Sequence, residues 1–537
     1  MSESSVRPAP AVDGSQGVPA YSWYALGVLV LVYVLNFIDR QILSILANDI
    51  KADLGVDDAY LGFLYGTAFA IFYALFGIPF GRLADSWKRI RLLTIGLSLW
   101  SAMTAFSGFA RDAAALTVAR IGVGVGEATA SPSAYSLISD WFPSRLRATA
   151  LAIYSSGLYI GGGVSLAIGG LVVDLWNSAF PEGDPWFGLA GWQAAFISVG
   201  VPGLILAAWV ATLREPVRGA MDGVPTQEDP QPFRGFLREL YTVVPPFTFL
   251  GAAARGKAAL AVNIAVLIGT LALAYILTNL LGSGPGLIVP QITDQWLLLA
   301  IGYYSVFCFA SALRERDYPT FALTWGSPAF LCTILGYGTV SFMAYAASYW
   351  SAPYAERVFE ISKAELGFWL GGGGAAGGFI GVILGGRMAD ALYARTPSGR
   401  IWVVMFGLVS PLPLAIWQFT TESFALFSIL NVVVGALAAS ALGAAAATSQ
   451  SLVLPRMRGV ATATFFLATT LVGLALGPYL AGYVSAQNDG DLSIGVISTL
   501  WITPIGVALL IAAIKLIPAA GASVLERAIA AGEPEAG

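Results

Sequence analysis

The chain has 537 residues, 57% of them hydrophobic and 11% charged, with a formal net charge of −4. Soluble domains carry about 25% charged residues, so a mean hydropathy of +0.74 indicates one large membrane body rather than several water-soluble domains. The lack of any histidine excludes an HExxH metal helix and a Ser-His-Asp triad, and no basic block suggests nucleic-acid binding.

Residues 1–21 are polar and lack the apolar core of a signal peptide. Apolar runs long enough to cross a bilayer, about 20 residues each, then fall at 22–46, 59–84, 90–110, 113–140, 146–176 and 190–213. A polar, Pro-rich linker occupies 214–257. Two further runs, 258–282 and 295–312, lie within a segment 258–318. Six more follow at 319–351, 364–390, 400–420, 423–451, 458–486 and 493–517, before a tail at 518–537. The pattern predicts an all-α membrane protein of fourteen spans: two six-helix bundles, 22–213 and 319–517, with two extra helices between them. Whether the extra pair acts as a lateral seal or covers the seam between the bundles stays open. Cys308 and Cys332 both lie in apolar runs and read as inert buried thiols.

Charge placement supports the count. With the N-terminus inside, the inner loops receive Lys88, Arg89, Arg145, Arg147, Arg387, Arg400, Arg456 and Arg458 among others, whereas the outer loops receive only Lys51, Arg111, Arg357 and Lys363 and are mainly acidic, with Asp57, Asp58, Glu182, Asp184, Asp294, Glu356, Glu360 and Asp489. Lys/Arg excess marks cytoplasmic loops, so both termini are expected in the cytoplasm of a multi-pass cell-membrane protein. The halves also repeat. Gly81-Arg-Leu-Ala-Asp85 returns as Gly386-Arg-Met-Ala-Asp390, and Arg145-Leu-Arg147 returns as Arg456-Met-Arg458. Internal repeats of this kind are typical of transporter folds with a site between them near the midplane.

Four charged residues fall well inside spans: Asp39, Arg40, Arg120 and Glu127. A charge at the bilayer centre costs about 2.5–3.5 kcal/mol on insertion scales, and this set sums to zero. Arg120 and Glu127 are two helical turns apart, so a partner from another span is expected between them. Asp39 is the natural candidate, while Arg40 points about 100° away from it around the same helix. Asp39 or Glu127 is expected to change protonation as Arg120 changes partner or meets an anion. The bland alternative is a static ion pair joining two helices. Tyr33, Asn36, Tyr154, Tyr159, Tyr337, Tyr345 and Asn431 are the candidates to line a cavity with polar tips.

At its inner loops the sequence resembles the major facilitator superfamily: Gly81 to Arg89 resembles its loop between helices 2 and 3, and Arg120 to Gly126 its helix 4 signature. Asn36-Phe-Ile-Asp39-Arg40 and Gly124-Val-Gly126-Glu127-Ala128 are similar to motifs of the Spinster group, with Phe37 in place of the usual Tyr. The resemblance implies alternating access between the two bundles. It implies that helices 2, 5, 8 and 11 form their interface, so Gly157, Gly161 and Gly477 are candidates for gating rather than for static packing alone. It implies that Asp85 meets helix 11, with Arg89 pairing with Asp140 and Asp390 as the repeat counterpart. The expected activity is proton-coupled transport of an amphipathic anion of lysophospholipid or sphingolipid type, the alternative being export of drug-like or other small organic anions. An enzyme and a non-transporting scaffold are the remaining classes. The reading calls for protons, a small amphipathic substrate, the bilayer, a monomer, and no cofactor or metal.

Overall fold

The computed structural model describes residues 18–181, 185–219, 221, 229–282, 284 and 286–534. Residues 1–17 of the polar tail, part of the linker, and Glu182 and Asp184 of the acidic loop set lie outside them. The helices used below are α1 (Ala20–Leu54), α2 (Asp58–Ser86), α3 (Arg89–Ser107), α4 (Ala113–Glu127), α5 (Ala130–Trp141), α6 (Ser144–Ala179) and α7 (Gly191–Val210). The linker adds α8 (Pro232–Val243) and α9 (Thr248–Arg255), followed by α10 (Lys257–Leu281) and α11 (Asp294–Arg316). The second bundle is α12 (Pro328–Phe359), α13 (Lys363–Tyr393), α14 (Gly399–Gln418), α15 (Phe424–Ser451), α16 (Pro455–Gln487) and α17 (Leu492–Ala522), with α18 (Val524–Ala530) after it.

Thirteen helices among the described residues are long and apolar enough to cross a membrane. The fourteenth expected span, 113–140, is broken into α4 and α5. Gly122, Gly124 and Gly126 weaken the helix there, and the Thr129 hydroxyl donates to the Gly126 carbonyl at 2.8 Å, diverting a backbone acceptor from the ladder. Side-chain caps fix the other starts. Asp57 accepts from the Tyr60 amide at 2.7 Å and Asp112 from the Ala115 amide at 2.8 Å, satisfying amide donors that a helix start leaves free. Gly55 closes α1 at φ 64, the left-handed cap a Cβ disfavours. Single π turns interrupt α13 at Gly367–Gly371 and α16 at Thr469–Leu474. Such turns recur at functional sites, and here both lie where the two bundles meet.

The seam between the bundles is closed by glycine packing at one end, and the glycines at the other end make no such contact. Away from the termini, a Cβ on Gly62 of α2 would run into the Pro478 carbonyl of α16, and one on Gly66 into the Leu474 carbonyl. Across the molecule Gly163 of α6 meets Gly371 of α13, and Gly170 meets Lys363. Small residues permit this approach. At the end carrying the termini, Gly77 and Gly81 of α2, Gly386 of α13 and Gly459 of α16 have nothing within 4 Å of a Cβ. The expected gating glycines Gly157 and Gly161 do not face this seam. They pack on α1, against Tyr33 and against Val34 and Phe37, because the seam face of α6 is the one carrying Gly163 and Gly170. Gly477 packs on Phe342 of α12 within the second bundle.

The inserted pair resolves the open choice about its placement. α11 lies over the α2–α16 seam: Gly302 meets Ile71 of α2 and Leu471 of α16, Gln295 donates to the Ala475 carbonyl at 3.4 Å, and Trp296 packs edge-on against Tyr479 at 5.6 Å. α10 sits outside it, with 11% of its apolar stretch buried. The two are pinned by a buried polar chain in which Tyr304 donates to Asn263 and Asn263 to Cys308, at 2.5 and 3.1 Å.

Candidate functional site: a buried charge cluster beneath an ionic gate

The four intramembrane charges come together, but not in the expected pairing. Arg40, not Asp39, closes the cluster: its Nε donates to the Glu127 carboxylate at 2.6 Å. Its guanidinium is walled by the rings of Phe37, Phe69 and Tyr73, at 5.0, 4.6 and 4.5 Å from their centroids, a geometry that favours a cation. The reason is the turn of α1. Adjacent residues diverge by about 100°, so Arg40 is aimed at α4 while Asp39 lies beside Trp100 and Thr104 of α3. Arg120 donates to the backbone carbonyl of Asp39 at 3.1 Å rather than to its carboxylate. Both carboxylate oxygens of Asp39, the Nε and Nη2 of Arg120 and one oxygen of Glu127 are buried without a hydrogen-bond partner among the described residues. Asp39 and Glu127 are fully buried and Arg120 is 1% exposed, whereas the Arg40 side chain is 16% exposed. Of the four, Arg40 is therefore the charge with the most exposed surface.

The expected tyrosines mostly gather around this centre. Tyr33 stacks on Tyr154 at 4.3 Å, Tyr154 also meets Tyr135, and Tyr345 from the second bundle lies within electrostatic range of Arg40 and Tyr73. Tyr337 stacks on Phe465 and neighbours Tyr159 and Tyr345. Asn36 is 1% exposed with its amide nitrogen unpartnered. Asn431 is different: its oxygen accepts from Ser351 and Gln418, both at 3.2 Å, which ties it into the second bundle instead of the cavity wall. Sequence reasoning missed Phe69, Tyr73, Gln41 and Tyr65. Tyr65, Phe69 and Tyr73 recur every fourth residue on α2, an aromatic stripe whose spacing was readable.

At the closed end a second cluster spans the two bundles. Lys51 of α1 and Arg357 of α12 both bond Asp58, at 2.8 and 2.7 Å. Ser485 of α16 donates to Asp58 at 2.8 Å, and Asn48 donates to Glu356 at 2.8 Å while accepting from Arg357 at 2.9 Å. Lys363 bonds Glu356 and also Asp49, the latter at 3.1 Å. These residues read as scattered loop charges in the sequence. The signal that finds them is the repeat: Lys51 and Asp58 are seven apart, and Glu356 and Lys363 stand 305 residues further on with their signs reversed.

At the end carrying the termini Arg89 is held by Asp140, by Glu215 at 2.8 Å and by the Pro216 carbonyl at 2.9 Å. Glu215, which the sequence did not single out, also accepts from the amides of Arg89 and Ile90 at 3.2 and 2.9 Å, a carboxylate on the positive end of α3. Asp85 does not reach α16. It faces Arg218, Arg82 and Arg89. Burial and the neighbouring Arg89 hold the Arg218 guanidinium below its usual range. Asp390 is 78% exposed, 3.5 Å from Arg400.

Two helical bundles meeting along a seam, with paired charges buried between apolar helices, define a multi-pass membrane transporter. The sequence profile of the Major Facilitator Superfamily matches residues 29–358, and the chain belongs to that superfamily as a Spinster-like secondary transporter, not an enzyme. Over 474 residues it is 26% identical to an MFS-type efflux pump of Mycolicibacterium smegmatis, covering 88% of this chain and 87% of that protein. It is 27% identical to protein spinster of Drosophila melanogaster over 201 residues, 37% of this chain and 31% of that protein. In three dimensions it resembles a bacterial homologue of the human lysosomal transporter Spinster, in an inward-facing and occupied conformation. That match has a TM-score of 0.64 and 25% identity, and covers 96% of each chain.

Proposed function

We propose that the chain is a proton-coupled transporter that moves an amphipathic anion of lysophospholipid or sphingolipid type by alternating access. The observation that carries this reading is the Arg40–Glu127 pair at 2.6 Å. A partly exposed guanidinium sits in an aromatic box and is neutralised by a carboxylate that has no other bonded partner. An anionic headgroup entering the cavity competes with Glu127 for Arg40. Once displaced, Glu127 is a buried carboxylate without its counter-charge, and taking up a proton removes the cost of that charge. Asp39, buried with both oxygens unpartnered, is the second proton-carrying group, and Arg120 holds the backbone between them. Tyr33, Tyr73, Tyr154, Tyr159, Tyr337 and Tyr345 supply flat apolar faces for an acyl chain with polar tips for the head.

The conformation supports the cycle. The Lys51–Asp58–Arg357 and Glu356–Lys363 pairs shut the end remote from the termini, and at the other end Gly81 and Gly386 make no packing contact. The enrichment of Lys and Arg in loops at that end supports cytoplasmic termini, and hence an inward-facing state. Reverting to the outward state requires the ionic gate to part and Asp85 to move toward α16. The chain is expected to work as a monomer in the cell membrane, with no cofactor.

The test is flux of a labelled lysophospholipid into liposomes with and without a pH gradient. Gradient-driven uptake that disappears in Glu127→Gln is expected; undiminished gradient-driven uptake in both Glu127→Gln and Asp39→Asn overturns the proton role. The near full-length match to an efflux pump favours a second reading, export of small organic anions. Flux decides between them: gradient-driven transport of a labelled drug-like anion that excess lysolipid does not inhibit favours that alternative.

A further inference from the structure

Beside the transport path, the linker builds a groove of about 1610 Å³ at the end of the molecule that carries the termini. Its walls are α8, α9 and the end of α11, with Arg82 of α2 reaching in. Five arginines line it against three acids, Asp229, Glu239 and Glu315. Glu239 is taken by Arg316, at 2.8 and 3.2 Å. Glu315 lies 3.5 Å from Arg255, which also donates to Ser311. Among the described residues Arg234 and Arg238 make no salt bridge, and neither does Arg82, although Asp85 lies near it. Arg234 and Arg238 are one turn apart on α8, a like-charge arrangement that disfavours a helix unless an anion sits between the two. Gly235 lets Arg82 join them: the Arg82 Nε is 3.1 Å from where a Cβ would stand.

The apolar surroundings give the anion a lipid character. α8 is fastened to α2 by Phe236 stacked on Phe80 at 5.6 Å and by Phe233 against Trp87 at 5.3 Å. Phe233 nevertheless stays 49% exposed, Leu237 42% and Leu250 60%. Next in the chain after α9 comes α10, of whose apolar stretch only 11% is buried. Guanidiniums beneath exposed aromatic and aliphatic side chains at a membrane surface match a phosphate head with acyl tails, and an amphipathic helix of this kind lies in the interface plane. We propose that this groove is a binding site for an anionic phospholipid of the leaflet on the side of the termini, its phosphodiester held by Arg82, Arg234 and Arg238, separate from the transport site.

The experiment is lipid retention by the purified full chain, read by native mass spectrometry after exchange into vesicles mixing phosphatidylglycerol with phosphatidylethanolamine. Wild type is expected to retain phosphatidylglycerol preferentially. The Arg234→Gln/Arg238→Gln double variant should lose that preference by about ten- to thirtyfold, with roughly 1 kcal/mol for each arginine near a surface. Arg395→Gln, an exposed arginine outside the groove, should not. Equal retention of the two lipids by wild type overturns the proposal without needing a variant, as does an equal loss in Arg395→Gln. Displacement of the lipid by excess inorganic phosphate overturns it in favour of a soluble anion.

Discussion

The two bundles share a plan and differ in their centres. α1 and α12 end 305 residues apart, at Leu54 and Phe359, and the caps of α4 and α15, Asp112 and Ser423, are 311 apart. On those offsets Asp39 and Arg40 correspond to Ala344 and Tyr345, and Arg120 and Glu127 to Asn431 and Ala438. The second bundle therefore builds the same helices with no ionisable carboxylate or guanidinium at any of the four positions. The fold does not need these charges. Burying them is costly, so their presence in one bundle alone is a property of the site. The ionic cluster at the closed end is the reverse case: both halves contribute, with signs exchanged, and the Arg357–Asp58 and Lys363–Asp49 pairs join them.

The largest effects should come from breaking this asymmetry. Glu127→Gln and Asp39→Asn should each remove the pH-gradient-dependent part of flux in liposomes, whereas Ala438→Ser, at the matching place in the second bundle, should leave it intact. Equal losses at both positions would mean that packing, not charge, was being tested. For stability, Arg40→Gln leaves Glu127 buried and unpaired, a loss of about 3–5 kcal/mol. Tyr345, the counterpart, has no hydrogen bond to lose among the described residues, so Tyr345→Phe should cost below about 1 kcal/mol. Thermal unfolding in one detergent compares the two. Adding Glu127→Gln to Arg40→Gln should recover much of the loss, since the orphaned charge goes with it.

The sequence made the architecture legible because apolar run length and loop charge are properties of single segments. It made the membership of the charge cluster legible because an intramembrane charge is conspicuous wherever it points. It did not show who pairs with whom. Asp39 and Arg40 are neighbours in the chain, and only the rotation of α1 against α3 and α4 decides that Arg40 takes Glu127. The glycines failed for the same reason. Gly157 and Gly163 are on one helix, but one faces α1 and the other faces α13. Asp58 and Lys363 passed as loop charges because hydropathy places a helix end only to within a few residues. Their role rests on contacts across more than 300 residues of chain.

The seam offers a test at intermediate magnitude. A Cβ on Gly62 would collide with the Pro478 backbone, while one on Gly81, at the other end of the same helix, meets nothing within 4 Å. Gly62→Ala should therefore cost the conformation seen here about 1–3 kcal/mol, the usual penalty of overpacking, and Gly81→Ala almost nothing. If the closed end opens in the alternative state, Gly62→Ala moves the population toward it. A cysteine at Ser44, fully buried and donating to the Tyr349 carbonyl across the seam, should then become more accessible to a water-soluble thiol reagent. Unchanged labelling in Gly62→Ala, with normal expression, would argue that this end does not open during the cycle.

The smallest expected effect lies outside the membrane, where Arg456 joins Asp317 and Glu533. Burial acts to raise Asp317, but hydrogen bonds from Arg456 and Thr320 outweigh it and hold the carboxyl below its usual range. The Arg456 hydrogen bond holds Glu533 below its own. A carboxylate whose folded-state value is depressed stabilises the fold above its unfolded value, and that contribution is lost as the pH falls through the folded one. With ordinary values of about 3.9 for Asp and 4.3 for Glu, the contribution is complete above about pH 5 and drains away below about pH 4. Arg456→Gln should then lower the unfolding temperature at neutral pH and cease to matter in acid. The matching experiment at the end of the first bundle is Arg214→Gln. The Arg214 guanidinium lies over the Tyr21 ring at 5.2 Å. An aromatic ring does not titrate near pH 4, so this contact should contribute at both pH values. An acid-sensitive loss confined to Arg456→Gln would show that the ends of the two bundles, alike in their loops, are fastened by different chemistry.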